Sequence, residues 1–301
     1  MLLAADDRVI ATGLAGPSNP LRVGFERSFE ALATAAGHVL TAARIEAEQI
    51  GAVCAGVAGA GQPRVLKRIM GHLVEMFPRA DVHVTTDLDV ALEAAVGEKP
   101  GVVLLAGTGS AAYGRDAQGR TARAGGHGPW IGDEGSAFDI GRRAVAAVAQ
   151  ARDAMAPVTL LADMIPAALE CADWATLLER IAAGPDEILP RVFPIVVEAA
   201  DAQDAPAQEI LYGAALGLAA LAMSVARRLE MADKKFVIGK AGGVFGHSPY
   251  LDETLEALLH SGAPSAEIRP LEITPACGAA HLARRLLARE GSRTAHDATV
   301  R

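Results

Sequence analysis

Five apolar residues in succession, Val102-Val103-Leu104-Leu105-Ala106, stop at Gly107-Thr108-Gly109-Ser110. A short apolar run closed by a glycine turn reads as a buried strand that delivers backbone N–H groups to a loop. The same grammar recurs upstream. Gln49 to Val57 is a short buried strand, and Pro63 sits where a first helical turn accepts it. Val65, Leu66, Ile69, Met70, Leu73, Val74 and Phe77 then mark one apolar helix face. Val82 to Thr86 is the next strand, followed by a helix from Leu88 to Val96 that ends at Gly97. With 31 glycines and only 12 aromatics, the core is expected to be built from closely packed backbones, as in an α/β protein.

A chain of 301 residues is expected to make two domains. No linker or repeat divides it, so the boundary is placed at the Lys99-Pro100-Gly101 turn, giving domains 1–98 and 99–301. In the second, Tyr113 to Arg115 and Arg120 to Arg123 are expected to pair about the Asp116–Gly119 turn, and a long helix starts near Ser136. Lys235 to Gly239 and Ala266 to Leu271 read as strands, and a helix from Cys277 to about Ala288 ends the domain.

Charge excludes whole classes of partner. Lys+Arg 28 against Asp+Glu 36 gives a net charge of −8, which offers no basic footprint for nucleic acid or anionic lipid. Ile210 to Ala226, Ala-rich and charge-free, is shorter than the roughly 20 residues a bilayer requires and reads as a buried helix. Met1 to Asp7 lacks the pattern of a signal peptide, so a cytoplasmic location is expected. Cys54, Cys171 and Cys277 are too few and too scattered for a disulfide framework or a thiolate metal site, and read as reduced thiols.

Three segments carry the chemistry. Gly107-Thr108-Gly109-Ser110 can turn its N–H groups and two hydroxyls toward an anion. Asp87, at the end of a strand and the mouth of a helix, can cap that helix or take a proton from a substrate hydroxyl; Asp89 is expected to face solvent. Gly125 to Ser136 packs glycine turns, His127, Trp130, Asp133 and Glu134 into twelve residues ahead of a helix. Within it Asp133 is expected to bind sugar hydroxyls or cap the helix, and His127 lacks the partners a metal site needs. Gly56-Val57-Ala58-Gly59-Ala60-Gly61 has the wrong spacing for a dinucleotide fingerprint.

Gly16-Pro17-Ser18-Asn19, Thr86-Asp87, Ala106 to Ser110, Gly125-Gly126 through Gly132-Asp133-Glu134-Gly135-Ser136, and Gly242-Gly243 occur in a telling order. That order resembles the N-acetylglucosamine kinase branch of the BadF/BadG/BcrA/BcrD ATPase family over nearly the whole chain. The resemblance implies an α/β, two-domain actin-like ATPase (ribonuclease H-like) fold with an interdomain cleft, and ATP-dependent phosphorylation of an amino sugar, at its 6-hydroxyl. It implies that Asn19, Asp87, Gly126, His127 and Asp133 line the sugar site, with Asp87 as base. Gly107, Thr108, Gly109 and Ser110 would hold phosphates, and Gly242, Gly243 and Ala276 the adenosine. It further implies Mg²⁺, with its ligands unassigned, and a homodimer. Two other readings share the motifs: a sugar sensor without productive ATP binding, and an ATPase activator of a dehydratase.

Three departures from the pattern stand out. His127 replaces a usual Trp and Gln203 a usual Gly, and no Asp-Gly-Gly-Gly-Thr phosphate turn occurs. By the resemblance the chain opens inside the family's second strand, so a start upstream of Met1 is expected; residues 1–301 alone would then be a severely weakened kinase.

Overall fold

The computed structural model describes residues 1–4 and 6–299, with side chains to residue 288. They fall into two compact units: Met1–Glu98 together with the residues from Leu271 onward, and Lys99–Pro270.

In the first unit, β1 (Leu2–Leu3) and β2 (Val9–Ala11) form an antiparallel ribbon. After α1 (Pro20–Val23) and α2 (Phe25–Ala43) come β3 (Ala52–Gly56), α3 (Pro63–Met76), β4 (Asp81–Thr85) and α4 (Asp87–Val96). β3 and β4 are parallel, with Gly56 opposite Thr85, and α3 makes the crossover between them. Val65, Ile69 and Leu73, spaced along one face of α3, close the core with Ile50, Val57, Phe77 and Val84.

The second unit is a mixed five-stranded sheet in the order β7-β6-β5-β8-β9. β5 (Gly101–Ala106), β6 (Ser110–Arg115) and β7 (Thr121–Gly125) form a meander, while β8 (Val237–Ala241) and β9 (Glu267–Pro270) lie parallel to β5. Between β7 and β8 the chain forms α5 (Ala137–Arg152), α6 (Leu161–Ala168), α7 (Trp174–Ala183), α8 (Pro185–Ile188), α9 (Phe193–Asp201) and α10 (Ala205–Arg228); α11 (Pro249–Gly262) joins β8 to β9. α10 has the length and composition to cross a membrane, yet Ile210, Leu211, Leu218, Met223 and Val225 are buried in this unit's core.

The last helix, α12 (Pro275–Thr299), corrects the expected domain assignment: it packs on α4, β3 and β4 of the first unit, not with the second. The reason is steric and electrostatic. Gly278 has no room for a Cβ because the Val90 carbonyl lies against it, so the two helices approach closely. Arg285 then pairs with Glu93, a carboxylate buried on α4 that would be costly without a partner.

Candidate active site

In the first unit the candidate residues collect where β3 and β4 end. Thr86, not Asp87, caps α4: its hydroxyl accepts from the Asp89 N–H, and the Asp89 carboxylate accepts from the Thr86 N–H. The Thr85 and Thr86 hydroxyls also donate to Asp89 Oδ2, each at 2.6 Å. Asp89 is therefore half-buried and tied down, against the expectation that it faces solvent. Asp87, the first helical residue, stays exposed, and its Oδ1 accepts at 3.1 Å from the adjacent Leu88 N–H. The helix needs one carboxylate for its cap and takes Asp89, so Asp87 is presented at the helix mouth outside the cap.

Asn19 caps α1, accepting from the Leu21 N–H at 3.0 Å. It lies beside Gly59, whose φ of +87° and contact with Leu21 leave no room for a side chain. Gly61 lies against the Thr86 methyl. The Gly56–Gly61 turn, unsuited to a dinucleotide, thus links Asn19 to the start of α4. The signal for it was a glycine turn directly after a strand.

In the second unit the candidate loops are built into one another. Ser110 is 3% exposed, and its hydroxyl donates to the Glu134 carbonyl at 2.7 Å. Its expected role as a phosphate hydroxyl is corrected: Ser110 ties the Gly107–Ser110 turn to the Asp133–Ser136 segment. The Ala137 N–H donates to the Gly107 carbonyl (2.8 Å), and the Gly126 N–H to the Ser110 carbonyl (2.8 Å). Asp133 is 6% exposed with φ +62°, a left-handed conformation costly for a side-chain-bearing residue. Its carboxylate lies so close to Gly109 that a Cβ there would stand 2.8 Å from Oδ2. Asp133 does not cap α5; Ser136 does, accepting from the Asp139 N–H.

Thr108 is exposed at the crest of the turn, and a Cβ on Gly107 would meet open space. That open glycine backbone fits an anionic phosphate chain. Val244 donates its N–H to the Ala106 carbonyl (3.0 Å), which seats the Gly242–Gly246 turn directly against the strand end that enters Gly107. Gly242, at φ +114°, could carry no Cβ without overlapping that carbonyl. Gly243 faces open space. Ala276 belongs to the other unit, exposed at the start of α12.

Two supporting residues escaped the sequence reading. Arg123 donates to the carbonyls of Gly125 (3.2 Å) and Gly126 (2.6 Å), bracing two consecutive left-handed glycines before the exposed His127. Asp139, buried in α5, accepts from the Gly135 N–H at 3.1 Å and pairs with Arg142 and Arg143. Gln203, also left-handed at φ +64°, forms the turn before α10, a conformation that glycine adopts without strain. Among the described residues no group of three or more His, Cys, Asp or Glu side chains could hold a metal ion, and the three cysteines are free thiols.

Comparison with known proteins places these loops in context. A model of the BadF/BadG/BcrA/BcrD ATPase family matches residues 1–283. An N-acetylmuramic acid/N-acetylglucosamine kinase of Clostridium acetobutylicum is 30% identical over 239 residues, covering 79% of this chain and 78% of the relative. An N-acetyl-D-glucosamine kinase of Dictyostelium discoideum is 28% identical over 241 residues, 78% of this chain and 75% of that one. The fold matches a Chromobacterium violaceum protein assigned as an N-acetylglucosamine kinase, with TM-score 0.71, 22% identity and 92% of each chain covered. It also matches a ROK family glucokinase of Streptomyces griseus in complex with glucose and AMPPNP, with TM-score 0.53, 18% identity and 89% of each chain covered.

Proposed function

Because this chain belongs to the BadF/BadG/BcrA/BcrD ATPase family, we propose that it is an ATP-dependent kinase of amino sugars, with N-acetylglucosamine as the type substrate. The observation that carries this reading is the division of labour between Asp87 and Asp89 on α4. One carboxylate is consumed by the helix cap and its neighbour is left exposed at the helix mouth, where a hydroxyl proton can be taken. Names of the Clostridium and Dictyostelium relatives support the sugar, and the Streptomyces glucokinase, which binds AMPPNP, supports the nucleotide.

In this reading Asp87 accepts the proton of the sugar 6-hydroxyl as its oxygen bonds to the γ-phosphorus. The bond from that phosphorus to the bridging oxygen breaks, and ADP leaves. Asn19, Gly126, His127 and Asp133 hold the sugar, and the backbone of Gly107 to Ser110, with the Thr108 hydroxyl, holds the phosphates. Gly242, Gly243 and Ala276 line the adenosine. Phosphoryl transfer leaves the protein chiefly positioning to do, which the cross-tied loops of the second unit suit. Mg²⁺ would enter on the ATP phosphates and neutralise charge at the γ-phosphoryl oxygens. Dependence on ATP also supports a cytoplasmic site of action.

The test is ADP release with ATP and Mg²⁺ across hexoses and hexosamines. Turnover with N-acetylglucosamine or glucosamine, and little with hexoses lacking the amino group, is expected. Turnover indifferent to every sugar would refute the assignment.

A further inference from the structure

Lys240 is a charged residue in a place that should be apolar. It sits in β8, between β5 and β9 in the sheet, opposite Leu104 and Pro270, and is 8% exposed. An ammonium so placed is destabilising unless it is paired and hydrogen-bonded. It is paired: Nζ donates to Glu256 Oε1 at 2.6 Å and to Asp252 Oδ1 at 3.3 Å, both on α11.

The second oxygen of Asp252 does something else. Oδ2 accepts from the Gly246 N–H at 2.8 Å. Lys240 precedes the Gly242–Gly246 turn and Gly246 ends it, so a single carboxylate brackets both ends. The turn inside the bracket is the one whose Val244 N–H rests on the Ala106 carbonyl. Phe245, within it, lies with its ring centre 5.8 Å from Nζ. The ion pair thus ties α11 to both ends of a turn whose Gly242 has no room for a Cβ beside the Ala106 carbonyl.

We propose that Lys240 is a positioning residue for nucleotide binding, acting through Asp252 and Gly246 to hold the Gly242–Gly243 turn against the start of the phosphate loop. This rests on the kinase reading above and deepens it: the residue touches no reacting atom, and its loss is felt by ATP and not by the sugar.

The experiment compares Lys240→Met, Asp252→Ala and Asp252→Asn in the full chain. Steady-state kinetics with N-acetylglucosamine and calorimetric titration with AMPPNP are both run, with thermal unfolding as the check on folding. Lys240→Met and Asp252→Ala are expected to raise the KM for ATP and the Kd for AMPPNP about fivefold or more, with kcat and the KM for sugar within about twofold. Asp252→Asn, which keeps an oxygen for the Gly246 N–H, is expected to fall between parent and Asp252→Ala. Folded variants with ATP and AMPPNP constants within about twofold of the parent would overturn the proposal. So would a fall in kcat with those constants unchanged. Should Lys240→Met fail to fold, the two Asp252 variants decide by the same criteria. If the parent shows no phosphoryl transfer, the kinase reading fails separately, and the AMPPNP titrations still judge Lys240.

Discussion

The candidate residues of the first unit and those of the second are built on opposite plans. In the first unit Asp87 stands exposed on α4, bonded within its own helix, and Asn19 lies beside Gly59 of the glycine turn whose Gly61 faces the Thr86 methyl. In the second unit Asp133 is buried in a left-handed conformation, pressed on Gly109, and the loops on either side share hydrogen bonds through Ser110, Gly107 and Gly126. A base that must exchange protons is best left accessible to them, whereas groups that position a charged phosphate chain work best when their geometry is already set. Under the proposed roles, the difference teaches that chemistry and positioning should separate by mutation, one unit at a time.

The sharpest break is at Asp87. Asp87→Asn is expected to lower kcat by about 10²–10⁴-fold while calorimetric sugar affinity stays within a few-fold, because it removes only the proposed proton acceptor. A change in the second unit should act the other way. Ser110→Ala leaves the half-buried Glu134 carbonyl without that donor and is expected to cost about 0.5–1.5 kcal/mol in urea unfolding. It should raise the KM values for ATP and sugar together, since it loosens two loops at once. Asp89→Ala removes the capping-box partner of Thr86 and is expected to cost about 1 kcal/mol, with Asp87 still present. If Asp89→Ala abolished turnover as completely as Asp87→Asn, the assignment of the two carboxylates would be reversed.

Much of this was legible in the residues, for reasons that can be named. Strand and helix positions follow from local periodicity, which is why α3 could be placed from Pro63 and the apolar face of Val65, Leu66, Ile69, Met70, Leu73, Val74 and Phe77. Thr86-x-x-Asp89 is itself a capping-box pattern, and reading it would have freed Asp87 from the cap and committed Asp89. What could not be read were partnerships across long separations. Ser110 finds Glu134 twenty-four residues on, and Lys240 finds Glu256 sixteen on. α12 joins the first unit through Gly278 and Arg285, whose partners Val90 and Glu93 lie far back in the chain.

Two smaller effects sharpen the contrast. Burial first, then the charges of Asp89 and Glu93, push the Cys54 thiol up to about 12, with Arg285 opposing. Its ordinary value is near 9.0, so this contribution to stability is complete below pH 9 and is lost as pH rises from there toward 12. The urea midpoint of the parent should fall through that window, and that of Cys54→Ala should fall less. In the second unit, Gln203→Gly relieves a left-handed backbone and is expected to stabilise by roughly 0.5–1 kcal/mol, read as a rise in thermal midpoint without change in kcat.

The central claim, that the chain moves a phosphoryl group to an amino sugar, is tested most directly by phosphorus NMR of a reaction containing ATP, Mg²⁺ and N-acetylglucosamine. The account predicts a sugar phosphomonoester formed one for one with ADP, and no such signal from Asp87→Asn. ADP accompanied by inorganic phosphate, with no sugar ester, would contradict it.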